Sequence, residues 1–323
     1  MKSFLRWSAI VGLLVAFAVP VHAVEKRGTA AAKFLTLDSN ARIAGLASSA
    51  SSFTDLGAFS VLTNQAGMVF TEGNGAAGFS YTKYFADMTL FSAAVVWNLG
   101  DNGAIGIGVH SLLSGDIPFT TSLDPTHAGG TSFTVTGMAI GPTYARRLTD
   151  SFSVGGAIKF VSEGTSGATD LDKTVSTYAF DAGTIYTTDW HRFRIGATFQ
   201  NFGPDMKFID NSNAKQSLPT TFRIGFAVEP AELPVGSIMV SGEIWKLREY
   251  ESVLNFGVEY WVNDYVAGRV GWKAGYSGGE DEGLSAGVGF KFAQGNQSIN
   301  LDYAYTAFDL LDDLHRISVG LSF

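Results

Sequence analysis

From Gly75 to the terminal Phe323 the chain falls into segments of about ten to fifteen residues in which apolar side chains alternate with small or polar ones. A period of two puts successive side chains on opposite faces of an extended strand, and a helix cannot use it. In residues 152–160, Phe152, Val154, Ile158 and Phe160 share one face, while Ser153, Gly155, Ala157 and Lys159 share the other. Residues 315–323 repeat the pattern, with Ile317, Val319, Leu321 and Phe323 opposed to Arg316, Ser318, Gly320 and Ser322. Fourteen such segments are counted, from 75–85 to 314–323, including 191–202, 219–228 and 265–276. The even number suits a closed antiparallel barrel.

The connections test that reading independently. Membrane barrels have long loops at one end and tight turns at the other, in alternation. Here the third, fifth and seventh connections (Ser114 to Gly130, Gly164 to Lys173, Gly203 to Leu218) are long. The fourth (Thr149-Asp150) and tenth (Asn263-Asp264) are tight, and the sixth (Thr188 to Trp190) is nearly so. The eighth, with Pro230 and Pro234, is longer than the rule prefers. The alternation puts the start of the first strand and the end of the last in the periplasm.

A soluble β-sandwich also alternates, but its ionisable residues face bulk water. In this chain the apolar face carries aromatics near strand ends (Phe79, Tyr81, Trp97, Tyr186, Trp272, Tyr303), as interfacial girdles do. The opposite face carries both signs of charge within strands: Lys159, Asp181, Arg194, Arg223, Glu243 and Glu259, then Arg269, Lys291 and Asp302. Such residues can line a lumen and pair there. With 38 Gly, 25 Phe, no Cys and only 16 % charged residues, the composition favours strands and bends over helices. The expected fold is all-β, a transmembrane antiparallel barrel of about 14 strands.

Lys2 and Arg6 precede an apolar run from Trp7 to Val19, and Val21-His22-Ala23 offers small residues where a signal peptidase reads. The run is shorter than the roughly 20 residues a spanning helix needs. Residues 1–23 are therefore expected to be a cleaved signal peptide, and the location expected is the cell outer membrane. With a formal net charge of −8 before that cleavage, nothing invites nucleic acid.

Residues 24–74 lack the strand pattern, yet they are rich in Ala and Ser and too apolar for a disordered tail. Ala41 to Ala47 reads as a short helix of small residues. A helix of that kind packs in tight places, and the nearest is the barrel interior. The expected organisation is a signal peptide (1–23), an N-terminal hatch (24–74) and the barrel (75–323).

The stretch from Gly28 through Met68 resembles the start of the PorV/PorQ family of outer-membrane proteins, distant relatives of FadL-type transporters for long-chain fatty acids. The matching residues are Gly28-Thr29, Phe34-Leu35, Ala41-Arg42, the run Ala44 to Ala50, Asp55, and Asn64-Gln65-Ala66-Gly67-Met68, where Gln65 stands in place of the family's usual proline. Further matches are Gly141 to Leu148, Phe180 to Gly183, and Asn201-Phe202-Gly203-Pro204 before Leu218-Pro219. The run ending in Phe323 is similar to the signal by which barrel-assembly machinery recognises its clients. The resemblance implies a fourteen-stranded barrel with an N-terminal hatch in the lumen. It makes Arg42, Asp55, Asn64 and Gly67 hatch candidates.

Catalytic and metal constellations are weak. Of the histidines, His110 reads as a lumen-side residue and His191 as a turn residue. The acidic stretches Ser277 to Glu282 and Asp309 to Asp313 read as solvated loops rather than Ca²⁺ sites. Gly73-Asn74-Gly75 and Gly103 to Gly108 precede no helix and are not phosphate loops. No cofactor, metal or catalytic residue is expected, and the chain does not read as an enzyme.

Two functions follow from the resemblance. The first is passage or binding of small hydrophobic molecules across the outer membrane, in a pocket lined by residues such as Phe34, Leu35, Leu46 and Phe53. The second is a PorV-like accessory of type IX protein secretion, which binds cargo or translocon through loops such as Leu112 to Gly130 and Phe202 to Leu218. Expected partners are outer-membrane lipid, the barrel-assembly machinery, and either hydrophobic small molecules or secretion-system proteins.

Overall fold

The computed structural model describes residues 28–323 except 121, 123–124, 127–129, 168–171, 209–214, 231, 250–251, 275–281, 296 and 309–310. The signal-peptide reading, most of Ser277 to Glu282 and the start of Asp309 to Asp313 lie outside the described residues.

Fourteen strands form one closed antiparallel ring. They are β1 (Gly75–Lys83), β2 (Thr89–Asn98), β3 (Ala104–Leu113), β4 (Ser132–Thr149), β5 (Phe152–Ser166), β6 (Lys173–Thr187) and β7 (Arg194–Phe202), followed by β8 (Thr221–Val228), β9 (Gly236–Leu247), β10 (Ser252–Val262), β11 (Val266–Ala274), β12 (Glu282–Gln294), β13 (Gln297–Phe308) and β14 (Leu314–Ser322). Each pairs with its sequence neighbours, and β1 closes on β14 from Ala76↔Ser322 to Lys83↔His315. Closure leaves no row of backbone amides and carbonyls facing hydrocarbon, where each unpaired group would cost several kcal/mol. Two further two-residue strands were not legible in the sequence. Ile117–Pro118 pairs with β4, and Glu232–Leu233 lengthens the β8–β9 hairpin, which accounts for its long eighth connection.

The two faces divide as the alternation predicts. Phe79, Tyr81, Trp97, Tyr186, Trp272 and Tyr303 are exposed on the outer wall, as are Ile158 and Phe160. Ser153, Asp181, Arg223, Glu243, Glu259 and Arg269 are buried inside. At the β10–β11 turn Asn263 and Asp264 both take positive φ (47° and 61°), the left-handed geometry that matches a hairpin's twist and that Asn and Asp tolerate best.

The described part of the N-terminal segment lies inside this ring. It has one short helix, α1 (Ala41–Gly45), and three 3₁₀ turns at Lys33–Thr36, Gly57–Val61 and Gln65–Phe70. Asn40 starts α1 by accepting the Ile43 amide hydrogen at 2.8 Å. The helix ends at Gly45, short of the expected Ala47, because Ala47 and Ser48 turn to positive φ (51° and 66°). It packs on β11 to β14, while the last two turns pack on β1 to β3 and on β4 to β6. The segment thus touches wall on opposite sides of the ring.

Candidate functional site

The lumen is filled because the wall makes room for the hatch. Gly155 shares its face with Ser153 and Ala157, and a Cβ there would stand 2.6 Å from the Gln65 carbonyl carbon and 2.7 Å from the Ala66 nitrogen. Gly78 lies against the Phe59 ring, Gly137 against the Phe34 ring, and Gly257 against Ser49 and Leu46. The sequence reading took glycine as a sign of bends. The usable signal was its phase, since these glycines fall on the inward face.

Charges tie the hatch down. Arg42, presented by α1, donates Nε–H to Glu259 Oε2 (2.9 Å) and Nη2–H to Glu259 Oε1 (2.7 Å). The same guanidinium donates to the Asp55 carboxylate (2.8 Å) and the Asp55 carbonyl (3.1 Å). Glu259 also accepts from Arg269, which reaches Asp302 at 2.6 Å. Five alternating charges therefore run from hatch to wall across β10, β11 and β13. Burial raises the pKa of Asp55, but Arg42 and Arg194 lower it further, and the carboxyl stays well below the usual carboxylate range. Burial likewise opposes the charged form of Arg42, but Asp55 and Glu259 outweigh it and hold the guanidinium more firmly protonated than usual.

The other hatch candidates are turn residues. Asn64 accepts from the Ala66 amide (3.1 Å) and donates to the carbonyls of Ser51 (2.5 Å) and Thr184 (3.1 Å). Gly67 fits where a Cβ would stand 3.0 Å from Ser60 Oγ and 3.1 Å from the Phe53 carbonyl. Gln65 donates to the Val61 carbonyl and to Asp181, at 3.2 and 3.3 Å.

Of the four hydrophobic ligand candidates, Leu46 and Phe53 are wholly buried in a core with Ile43, Ala50, Leu56, Phe59, Ala227 and Met239. Phe34 is buried with Val161, Ala179, Met206 and Leu218, and Leu35 packs against that group. His110 bonds the Phe34 carbonyl through Nε2 (2.9 Å) and Ser92 Oγ through Nδ1 (2.8 Å). With Nε2–H donating to a carbonyl, Nδ1 is left to accept from the serine, and the pair anchors the hatch. Leu35 and Leu37 face Val61 and Leu62 across a cavity that also meets His110, Lys159 and Asp181. Its volume is ≈ 30 Å³, room for a water or two but far below the roughly 300 Å³ of a typical ligand site.

Beside the cavity the β6–β7 ladder shifts by one residue. Asn201 there takes positive φ (60°), and Asp181 accepts its amide hydrogen at 2.8 Å. Lys159 completes the knot with Asp181 (2.8 Å) and the Asn201 side-chain carbonyl (2.6 Å). Two stretches that resemble the family, Phe180 to Gly183 and Asn201 to Pro204, thus meet at one bulge. The lumenal ion pairs Arg223–Glu243 (3.7 Å) and Arg194–Glu229 (3.2 Å) complete the wall. Among the described residues no group of three or more metal-ligating side chains gathers. Phe323 lies at the seam, its carbonyl accepting from Asn74 (2.6 Å) and Gly75 (3.0 Å).

A closed fourteen-stranded β-barrel with an apolar outer girdle and a plugged, ion-paired lumen defines an outer-membrane barrel of the FadL-like architecture. The family model for "Type IX secretion system protein PorV" matches residues 22–248, and the chain belongs to that family. Solved structures share the fold. The "CymD monoaromatic hydrocarbon channel" aligns over 88 % of this chain and 97 % of its own, with a TM-score of 0.59 and 12 % identity. The Pseudomonas putida toluene transporter TodX aligns over 84 % and 94 %, with 0.57 and 11 %. A Pseudomonas aeruginosa FadL homologue aligns over 88 % and 98 %, with 0.59 and 12 %. No curated protein matches the sequence significantly.

Proposed function

We propose that this protein is a surface-acting accessory of type IX protein secretion, a closed barrel that binds secreted proteins or the translocon through its extracellular loops. The observation that carries this reading is the filled lumen, where the cavity beside His110 and Lys159 has a volume of only ≈ 30 Å³. Membership of the PorV family supports it. A rigid, plugged barrel is a sound platform for loops, since a scaffold of paired strands holds them while they vary. The loops proposed to carry the contact are those from Leu112 to Gly130 and from Phe202 to Leu218. No catalytic step is assigned to the protein. The test is to delete part of the second loop while leaving the barrel intact. Secretion of a type IX substrate is expected to fail while the barrel still reaches the outer membrane; unimpaired secretion overturns the reading.

A second reading is favoured by one observation, the apolar half of the cavity formed by Leu35, Leu37, Val61 and Leu62. It makes the protein a conduit for small hydrophobic molecules, as the titles of the CymD and TodX structures describe those proteins. Uptake of a hydrophobic solute by liposomes holding the intact mature chain separates the two readings, because the accessory is expected to give none.

A further inference from the structure

The hatch runs the length of the lumen. Its last residue, Asn74, lies at the seam, where its amide donates to the Phe323 carbonyl at 2.6 Å. Its first described residues, Gly28 and Thr29, are exposed at the opposite mouth, the one that carries the long loops. There the limb from Thr29 to Phe34 meets three connections at once. Glu249, in the β9–β10 loop, accepts from Thr29 Oγ1 at 3.1 Å and pairs with Lys33. Glu163, near the end of β5, accepts the Ala32 amide hydrogen at 2.8 Å. Ser217, in the β7–β8 loop, forms a parallel bridge with Ala30, and its carbonyl accepts the Ala31 amide hydrogen at 3.0 Å. Between these ties Ala32 takes a φ of 50°, a conformation that residues with a β carbon hold only where their surroundings fix it.

The β7–β8 loop is held in two different ways. Its feet belong to the wall: Thr177 Oγ1 donates to the Pro204 carbonyl at 3.2 Å, and Thr220 Oγ1 to the Asn201 carbonyl at 3.2 Å. Its inner part belongs to the hatch. Met206 and Gln216 exchange two backbone hydrogen bonds, at 2.8 and 3.0 Å, and Ser217 then carries the bridge to Ala30. The hatch thus adds a third segment to a small sheet begun by the loop. Met206 and Leu218 are buried in one core with Ala31, Ala32 and Phe34 of the hatch and with Ala139, Val161 and Ala179 of the wall. Without the limb both side chains would border an open lumen, and apolar groups turned toward water rearrange to cover themselves.

We propose that the Thr29 to Phe34 limb is the seat of the β7–β8 loop and part of the surface shown outside the cell, so that the loop keeps this shape only while the lumen is plugged. Coupling of this kind is reciprocal. Whatever stabilises the loop in this shape stabilises the plug by the same free energy, and a protein docked on the loop holds the barrel closed. That last consequence rests on the docking role proposed above; the coupling itself does not.

The chain has no cysteine, so single cysteines report position without background. Thr29→Cys is expected to react with a membrane-impermeant maleimide on intact cells, whereas Asp150→Cys, in the tight turn at the opposite end, is expected to react only after the cells are broken. A Thr29→Cys protein that reacts only in broken cells overturns the outer placement. Trypsin applied to the purified protein in detergent reads the coupling, at the exposed Lys207 and Lys215 of the loop and at Lys33 of the limb. Phe34→Ala is expected to speed cleavage after Lys207 and Lys215 several-fold, and Leu218→Ala to speed cleavage after Lys33 likewise. Phe34→Leu, the milder change, is expected to give a smaller effect of the same sign. Heat-modifiable mobility verifies that each barrel is folded. Folded variants in which each substitution loosens its own segment alone overturn the coupling. Secretion that survives loop deletion would sink the docking role and leave these outcomes as they are, so the two readings fail separately.

Discussion

Arg42 of the hatch and Glu259 of the barrel wall form a two-pronged pair, with Nε to Oε2 at 2.9 Å and Nη2 to Oε1 at 2.7 Å, and both side chains are buried. The two residues are 217 positions apart, so the pair fixes hatch to wall rather than one turn to the next. Glu259 is the shared anion, because Arg269 holds it from the other side.

That sharing sets the order of damage. Glu259→Gln takes the shared anion from two guanidinium groups, leaving Arg42 with Asp55 alone and Arg269 with Asp302 alone, whereas Arg42→Met leaves Glu259 with Arg269. Removing one member of a buried pair costs about 3–5 kcal/mol when the other is left uncompensated. Because each guanidinium keeps one carboxylate, Glu259→Gln is expected to loosen the hatch by less than that full amount, and Arg42→Met by less again. Urea-dependent protease cleavage within residues 28–74 reads the difference, and equal sensitivity in the two variants would contradict the shared-anion account.

Acid tests the Arg42–Asp55 arm of the same chain. The folded pKa of Asp55 lies below its unfolded value, near 3.9. A lowered carboxylate pKa adds stability that is fully present above the unfolded value and disappears as pH falls through the folded one. Wild type is expected to keep a constant advantage over Asp55→Asn in hatch protection from pH 8 to about 5, and to lose it progressively below about pH 4. The Asp55 side chain is 52 % exposed, so the advantage is small and shrinks with salt. A gap that widens on acidification would reverse the sign and refute the assignment.

The strands were legible because lipid and lumen impose opposite chemistry on alternate residues, and Ile158 against Lys159 shows it within one dipeptide. That the lumenal charges could pair was readable; who pairs with whom was not, because Lys159–Asp181 and Arg223–Glu243 depend on register across strands. Strand β7 begins at Arg194 rather than 191 because Trp190–Arg192 forms a turn in which His191 and Arg192 take positive φ (48° and 47°), which no period-2 pattern encodes. The hatch was legible as a segment that is neither strand nor tail. Its path was not, since it is set by glycines on distant strands and by Glu249 of the β9–β10 loop, which receives Lys33 and Thr29.

Phe323 closes the seam as well as ending the chain. Its amide donates to the Gly75 carbonyl at 2.9 Å, and its carbonyl receives Asn74 and Gly75. Deleting Phe323 removes these bonds where β14 meets β1, and each unmet group at a lipid-facing edge is expensive. Refolding into detergent or lipid is expected to fall several-fold in yield, read as loss of the heat-modifiable band on gels, while Phe323→Tyr is expected to refold normally.

The most direct test of a wall shaped for its plug is to add bulk to one inward glycine and to one outward glycine. At Gly155 a new Cβ meets hatch backbone, the Gln65 carbonyl carbon at 2.6 Å and the Ala66 nitrogen at 2.7 Å, and backbone cannot swing aside as a long side chain can. At Gly268, on β11, a Cβ meets nothing within 4 Å. Overpacking costs about 1–3 kcal/mol where neighbours cannot yield, and here the barrel ladder is the stiffer partner, so the hatch gives way. Gly155→Leu is expected to leave a folded barrel whose hatch is cleaved readily by protease and whose ion conductance rises above background; Gly268→Ala is expected to match wild type in both measurements. A Gly155→Leu barrel that stays plugged and silent would mean that the hatch adapts to the wall, and the glycine's place on the inward face would then need another cause.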